Sequence, residues 1–148
     1  MSQAKPSIDL DTSPGYLLKV ASAALRSAME DVLRPHGMTI THYSCLEVLA
    51  QRPGSSNSDL ARATFVTRQS MNVLLQTLQR DGLVTRADQP AAGRALPTQL
   101  TDAGRRQLAT ASAAVKGVED RMVAGLDAGD RARLTGLLRH CVSSLAQS

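Results

Sequence analysis

Between Ser56 and Gly104 the hydrophobic rhythm of the chain changes from helical to alternating, and this stretch restricts the possible folds more tightly than any other. Ser56-Asn57-Ser58-Asp59 offers several caps for a short helix through Ala63, with Leu60 and Ala61 facing inward. Thr64-Phe65-Val66 makes a turn, and Thr67 caps a second helix. In that helix Met71, Leu74, Leu75 and Leu78 fall at i, i+3, i+4 and i+7 and form one apolar stripe. Asp81-Gly82 ends it, with Gly82 standing where a left-handed C-cap is wanted. Leu83-Val84-Thr85 begins a β pattern at once, and Leu96 to Leu100 returns as the second strand. Ala87 to Gly93, rich in Pro, Ala and Gly, forms the tip between the strands, with Arg94 at its base.

This order is that of a winged helix-turn-helix, an arrangement suited to duplex DNA. The second helix would lie in a major groove and present side chains that hydrogen-bond base edges. Arg68, Gln69, Ser70, Asn72 and Gln76 lie off the apolar stripe, with Val73 among them, and are candidates for that contact. The hydroxyls of Ser58 and Thr67, beside helix N-terminal amides, suit phosphates. Arg86 and Arg94 on the ribbon complete the candidate set, the tip reaching toward a minor groove. Charge agrees with this placement. Residues 52–106 hold eight arginines against four aspartates, whereas the nine basic and nine acidic residues elsewhere cancel. A whole basic excess gathered into one stretch points to a polyanion rather than to general solubility.

The remainder of the 148 residues reads as helix, so the expected class is mostly α with a small β wing, built from six helices. Ser13-Pro14 caps a long helix whose Leu17, Leu18, Ala21, Ala24, Leu25, Ala28 and Val32 recur at helical spacing until Pro35 and Gly37. Thr39 or Thr41 caps the next, which buries Tyr43, Leu46, Val48, Leu49 and Ala50 and stops at Pro53-Gly54. Thr101 opens a helix with a stripe of Leu108, Ala111, Val115, Val118, Met122 and Leu126. Asp127 caps a last helix striped by Leu134, Leu137, Leu138, Cys141, Val142 and Leu145. The expected organisation is a flexible tail over residues 1–12, a helical dimerisation region over 13–37 and 101–146, and a winged lobe over 38–100. With three aromatic residues, Tyr16, Tyr43 and Phe65, packing must rely on aliphatic seams. The first dozen residues have no apolar run and no membrane-length apolar segment follows, so a cytoplasmic protein is expected. Two cysteines, Cys45 and Cys141, are too few for a disulfide framework, and both sit in apolar helical patterns, which predicts buried thiols.

The run Leu60-Ala61, Val66 to Leu78, Asp81-Gly82-Leu83-Val84-Thr85-Arg86, Gly93-Arg94 and Leu100-Thr101-Asp102-Ala103-Gly104 resembles the MarR family of bacterial transcription regulators. In that family the corresponding elements read LA, a recognition helix, GLVxR, a wing carrying D-x-R, and LTxxG. The resemblance spans roughly residues 15 to 146. One departure stands in the wing, where Ala92 replaces the usual Asp two residues before Arg94, removing a carboxylate that would orient wing arginines. The resemblance implies a homodimer with intertwined first and last helices. The long stripes of the two C-terminal helices independently permit this, because one copy cannot cover them. A two-fold axis then implies a palindromic operator with half-sites about 10 to 10.5 bp apart.

The resemblance also implies a regulator, in the repressor sense, released from DNA by a small aromatic acid or by cysteine oxidation. For the acid, Tyr16, Arg26, His36, His42 and Tyr43 are the candidates at the junction of the first two helices. Arg26 or His42 would meet the carboxylate and Tyr43 would supply a flat wall. The alternative for each is structural: a core tyrosine, or a solvated histidine. A cysteine-based redox switch is an alternative mechanism. A winged-helix module that docks proteins without DNA is an alternative function. The histidines at 36, 42 and 140 are scattered, and no CxxC, HExxH or glycine-rich phosphate loop occurs. No enzyme activity, metal or cofactor is therefore expected.

Overall fold

Ser13 fixes where the first helix begins: its hydroxyl accepts the Tyr16 N–H and Pro14 occupies the first helical position. The computed structural model describes residues 7–86 and 97–146. Among these residues six α-helices and one small sheet follow in the order α1 (Pro14–Leu33), a 3-10 turn (Arg34–His36), α2 (Ile40–Gln51), α3 (Asn57–Thr64), α4 (Arg68–Arg80), β1 (Val84–Arg86), β2 (Thr98–Leu100), α5 (Asp102–Met122) and α6 (Ala128–Ala146). The winged-helix class expected from the sequence is the class observed. The tip Ala87 to Gly93, Ala92, Arg94 and the start of the return strand at Leu96 lie outside the described residues. The chain forms two compact units, Met1–Val115 and Lys116–Ser148, with the boundary inside α5.

Three helix ends in the first unit use one device, in which the residue past the end turns left-handed and two amides reach back to the last turn. At the end of α4, Leu83 N–H donates to Leu78 O (2.9 Å) and Gly82 N–H to Gln79 O (3.1 Å), with Gly82 at φ 77°. After α1, Met38 donates to Leu33 O and Gly37 to Arg34 O, with Gly37 at φ 67°. At the end of α3 the left-handed position is taken by Phe65, at φ 60°. Among the described residues it is the only non-glycine with positive φ. The sequence placed the turn at Thr64–Val66 but ended the helix one residue early, at Ala63.

The apolar stripe of α4 packs as the spacing predicts: Met71, Leu74, Leu75 and Leu78 are all buried. They join Cys45, Leu46 and Leu49 of α2, Leu60 and Ala61 of α3, Leu83, Val84 and Leu100 of the ribbon, and Leu108, Ala111 and Val115 of α5 in one core. Each such leucine contributes about 1.5–3 kcal/mol by leaving water, and this burial rather than helix propensity holds α3 and α4 in place.

Strands β1 and β2 pair antiparallel in the register Val84↔Leu100, Thr85↔Gln99 and Arg86↔Thr98. The outer edge of β2 is not left open. Gly54 N–H donates to Thr98 O (3.1 Å) and Thr98 N–H to Ser55 O (3.3 Å), so the loop after α2 covers that edge and Thr98 is fully buried. The start of α5 is locked to the ribbon in the same way. Thr101 donates its N–H to Leu83 O (3.0 Å) and its hydroxyl to Gly82 O (2.6 Å), while accepting the Gly104 N–H (3.0 Å). A Cβ at Gly104 would run into the Leu83 carbonyl, which explains why the sequence after Thr101 needs glycine three residues on.

The α1 stripe is largely uncovered: Leu17, Leu18, Ala21 and Ala24 are exposed, and the one buried residue of the helix, Leu33, lies outside it. One expectation about burial is corrected. In α6 no described residue is buried, so Cys141, expected as a buried thiol, is exposed. Cys45 is buried as expected, its Sγ 3.9 Å from Met71 Sδ, and burial pushes its thiol up to about 12.

Candidate nucleic-acid interface

The start of α3 is set by a reciprocal cap: Ser56 Oγ accepts the Asp59 N–H (3.1 Å) and Asp59 Oδ2 accepts the Ser56 N–H (3.2 Å). Hydrogen bonds from the Ser56 hydroxyl and backbone, with the Arg62 guanidinium beside it, hold the exposed Asp59 carboxyl below its ordinary range. Thr67 caps α4, accepting the Ser70 N–H (3.0 Å) and donating its own hydroxyl to Ser70 Oγ (3.0 Å). Its hydroxyl is therefore already engaged in the cap.

With the stripe of α4 buried, the opposite face is turned to solvent. Arg68, Gln69, Ser70, Val73 and Gln76 are exposed. Val73 adds one apolar side chain, 59% exposed, to this otherwise polar face. Arg68 reaches back to α3, where Ser58 Oγ accepts from it at 3.5 Å. Asn72 differs from the rest of the face. It is half-buried, and its Oδ1 accepts from Arg86 (3.4 Å) on β1 and from Asn57 Nδ2 (3.5 Å) at the start of α3. Arg94 lies outside the described residues. Asn57 and Phe65 were not among the sequence candidates. The side chain of Phe65 is 93% exposed in the turn between the two helices, and only its position in a turn signals it in the sequence.

The arginines of this region divide by partner. Arg62, Arg80 and Arg105 each pair with a neighbouring aspartate, Asp59, Asp81 and Asp102. Arg68 and Arg86 instead meet neutral side chains among the described residues, so their charge is not cancelled locally. Arg68 on α4 and Arg86 at the base of the ribbon thus keep their positive charge available to an outside partner.

The five candidates for a small acid are not gathered in one place. Arg26 lines an open cleft of about 380 Å³ at the α1–α2 junction, with Glu30, Arg34, Met38, Thr39 and Ile40. Its Nε pairs with Glu30 at 3.3 Å. Tyr16 lies in the first turn of α1, and His36 in the 3-10 turn, where its backbone oxygen accepts from Gln107 (3.5 Å). His42 closes the α2 cap: its N–H donates to Thr39 Oγ1 (3.1 Å) and its Nδ1 accepts the Thr39 N–H (3.4 Å). Burial lowers its pKa, partly offset by the charge of Asp81. Tyr43 points to α5, its hydroxyl donating to Glu47 Oε2 (2.9 Å), which also accepts from Ser112 (2.7 Å). Burial raises the Glu47 carboxyl, but hydrogen bonds from Ser112, Gln51 and Tyr43 outweigh it and leave the pKa lowered.

The sequence profile described as MarR family matches residues 36–95, which run from the 3-10 turn through the helix-turn-helix and into the ribbon. An HTH-type transcriptional repressor of Mycobacterium tuberculosis, Rv2887, is 40% identical over 118 residues, covering 80% of this chain and 85% of the relative. The chain belongs to the MarR family. The same relative has been solved with salicylic acid (TM-score 0.72, 37% identity, 88% of this chain and 97% of that one). It has also been solved with DNA (TM-score 0.73, 34% identity, 88% and 98%). A putative transcriptional regulatory protein for the hcr operon of Thauera aromatica is 32% identical over 124 residues, covering 84% of this MarR-family chain and 75% of the relative.

Proposed function

We propose that this MarR-family chain is a homodimeric transcriptional repressor that binds a palindromic operator and is released by a small aromatic acid. The observation that carries the reading is the face of α4: exposed Arg68, Gln69, Ser70, Val73 and Gln76 on a helix whose other face is fixed in the core. A rigid helix with donors and acceptors on its outer side is what major-groove readout requires. Ser58 and Thr67 stand at helix N-termini where phosphates are held, and Arg86 and Arg94 contribute charge from the ribbon. The DNA complex of the relative Rv2887 supports this assignment. Residues 13–37 and 101–146 serve as the dimerisation region and 38–100 as the DNA-binding lobe, in a cytoplasmic protein with no catalytic role.

For the acid, the cleft at the α1–α2 junction offers the guanidinium of Arg26 beside the apolar Met38 and Ile40, which matches a carboxylate attached to a flat ring. The salicylic acid complex of the relative makes salicylate the appropriate probe.

The test is fluorescence anisotropy of the protein on DNA from upstream of its own gene and on scrambled duplex, at two salt concentrations, with and without salicylate. Expected are tighter binding to the upstream duplex, a steep loss with salt, and release by salicylate. Arg68→Ala should cost about 1–3 kcal/mol on the preferred duplex and relax preference at one base position. Salt-insensitive or absent binding would assign the lobe to protein docking instead.

A further inference from the structure

Asn72 stands at the meeting point of three elements, and the chemistry of its neighbours fixes which way its amide faces. A guanidinium has donors and no acceptor, so the Asn72 atom 3.4 Å from Arg86 must be the carbonyl oxygen. The same oxygen lies 3.5 Å from the Asn57 side chain, which must then present its Nδ2. Arg86 thereby sets the polarity of the whole chain of side chains, from β1 through α4 to the first turn of α3. Arg86 Nε and Asn57 Oδ1 are buried atoms without a partner among the described residues, on side chains that are half-buried as a whole. The Asn72 carbonyl is the acceptor that the described residues offer the Arg86 guanidinium.

We propose that Asn72 is a positioning residue that clamps the base of the wing and the start of α3 to the recognition helix, and that it does not read adenine. Bidentate recognition of adenine needs the asparagine carbonyl to accept from the base while the amide donates to it. Both lone pairs of the Asn72 carbonyl are committed to Arg86 and Asn57, so only its amide hydrogens remain for an outside partner. The clamp holds the guanidinium of Arg86 at one place relative to α4. The second half of the proposal, the effect on DNA, rests on the repressor reading above; the clamp itself does not.

The test is a double-mutant cycle on N72A, R86A and the pair, with N72D as a rescue, read first by thermal unfolding without DNA. Then the affinity of each is measured for a random-sequence duplex and for a duplex selected from a randomised pool. Each single change is expected to lower the melting temperature and the double to fall no further than the worse single. N72D should remain near the parent, because its carboxylate can still accept from Arg86. On DNA, N72A and R86A should weaken both duplexes by a similar factor, about tenfold, with little added by combining them. Additive melting shifts, or N72D as damaging as N72A, overturn the clamp. N72A that binds random duplex like the parent but loses preference at a single A·T pair overturns it in favour of a base reader. If the parent binds neither duplex the repressor reading fails, and the melting cycle still decides the clamp.

Discussion

Phe65 carries a cost that its neighbours in the fold avoid. The ends of α1 and α4 place glycine at the left-handed position, Gly37 and Gly82, whereas the end of α3 places a bulky aromatic there while leaving the ring in solvent. A side chain in that region loses about 1–2 kcal/mol relative to glycine, and little burial offsets it here. Phe65→Gly should therefore raise the urea midpoint, corresponding to about 1 kcal/mol, with no change in the slope of the transition. A lowered midpoint would mean that the ring has a packing partner in solution. The sequence revealed the turn at this point but not its handedness, because φ is set by the two amides that return to Ala61 and Arg62.

At the scale of an element, the start of α2 carries a titratable cap. The reciprocal bonds between Thr39 and His42 take the form of a capping box with histidine in the place usually held by Glu or Gln. Nδ1 can accept the Thr39 N–H only when unprotonated, and burial lowers the pKa of His42 below 6.5, against a smaller opposing effect of Asp81. A depressed folded-state pKa means that the neutral form is favoured by folding. Its stabilisation is complete above the ordinary histidine value and is lost as pH falls below that value toward the folded one. Melting temperature should accordingly drop between about pH 7 and about pH 5, above the range in which carboxylates titrate. His42→Gln should remove that part of the pH dependence while keeping the cap. An unchanged profile in the glutamine variant would show that the acid sensitivity arises elsewhere. Thr39 and Thr41 were both open as caps from residue type; the reciprocal bonds with His42 select Thr39.

At the scale of the whole molecule, the unpartnered helices are the telling feature. On α6, Leu137 is 58% exposed and Val142 68%, and on α1 Leu18 is 52% exposed. Apolar rows of this length on two helices are more than a soluble monomer ordinarily leaves uncovered. Two copies pairing through these helices would bury them, in keeping with the two-fold symmetry of a palindromic operator. The parent should sediment as a dimer, with a melting temperature that rises with protein concentration, and a Leu137→Asp, Val142→Asp variant should sediment as a monomer. A parent that sediments as a single chain at micromolar concentration would refute the dimer. Cys141 is exposed on the same row, so the expected dimer would cover it.

The sequence alone determined the order of helices and strands, the caps at Ser13, Thr67 and Asp127, the C-terminal glycine of α4 and the buried stripe of that helix, while the structure chose Ser56 among the several caps open at α3. These depend on interactions within one or two helical turns, which spacing and residue type record directly. It also determined which side of α4 faces out, and with it most of the candidate interface. Only the tertiary structure decided what each polar atom does there. The Asn72 carbonyl is engaged by Arg86 and Asn57, Thr98 is sealed by the loop after α2, and Glu47, which takes the Tyr43 hydroxyl within α2, also meets Ser112 of α5. The partners on different elements lie 14 to 65 residues apart in sequence. No local pattern encodes them, because a side chain's hydrogen-bond partner is fixed by where packing of the apolar core brings the elements together.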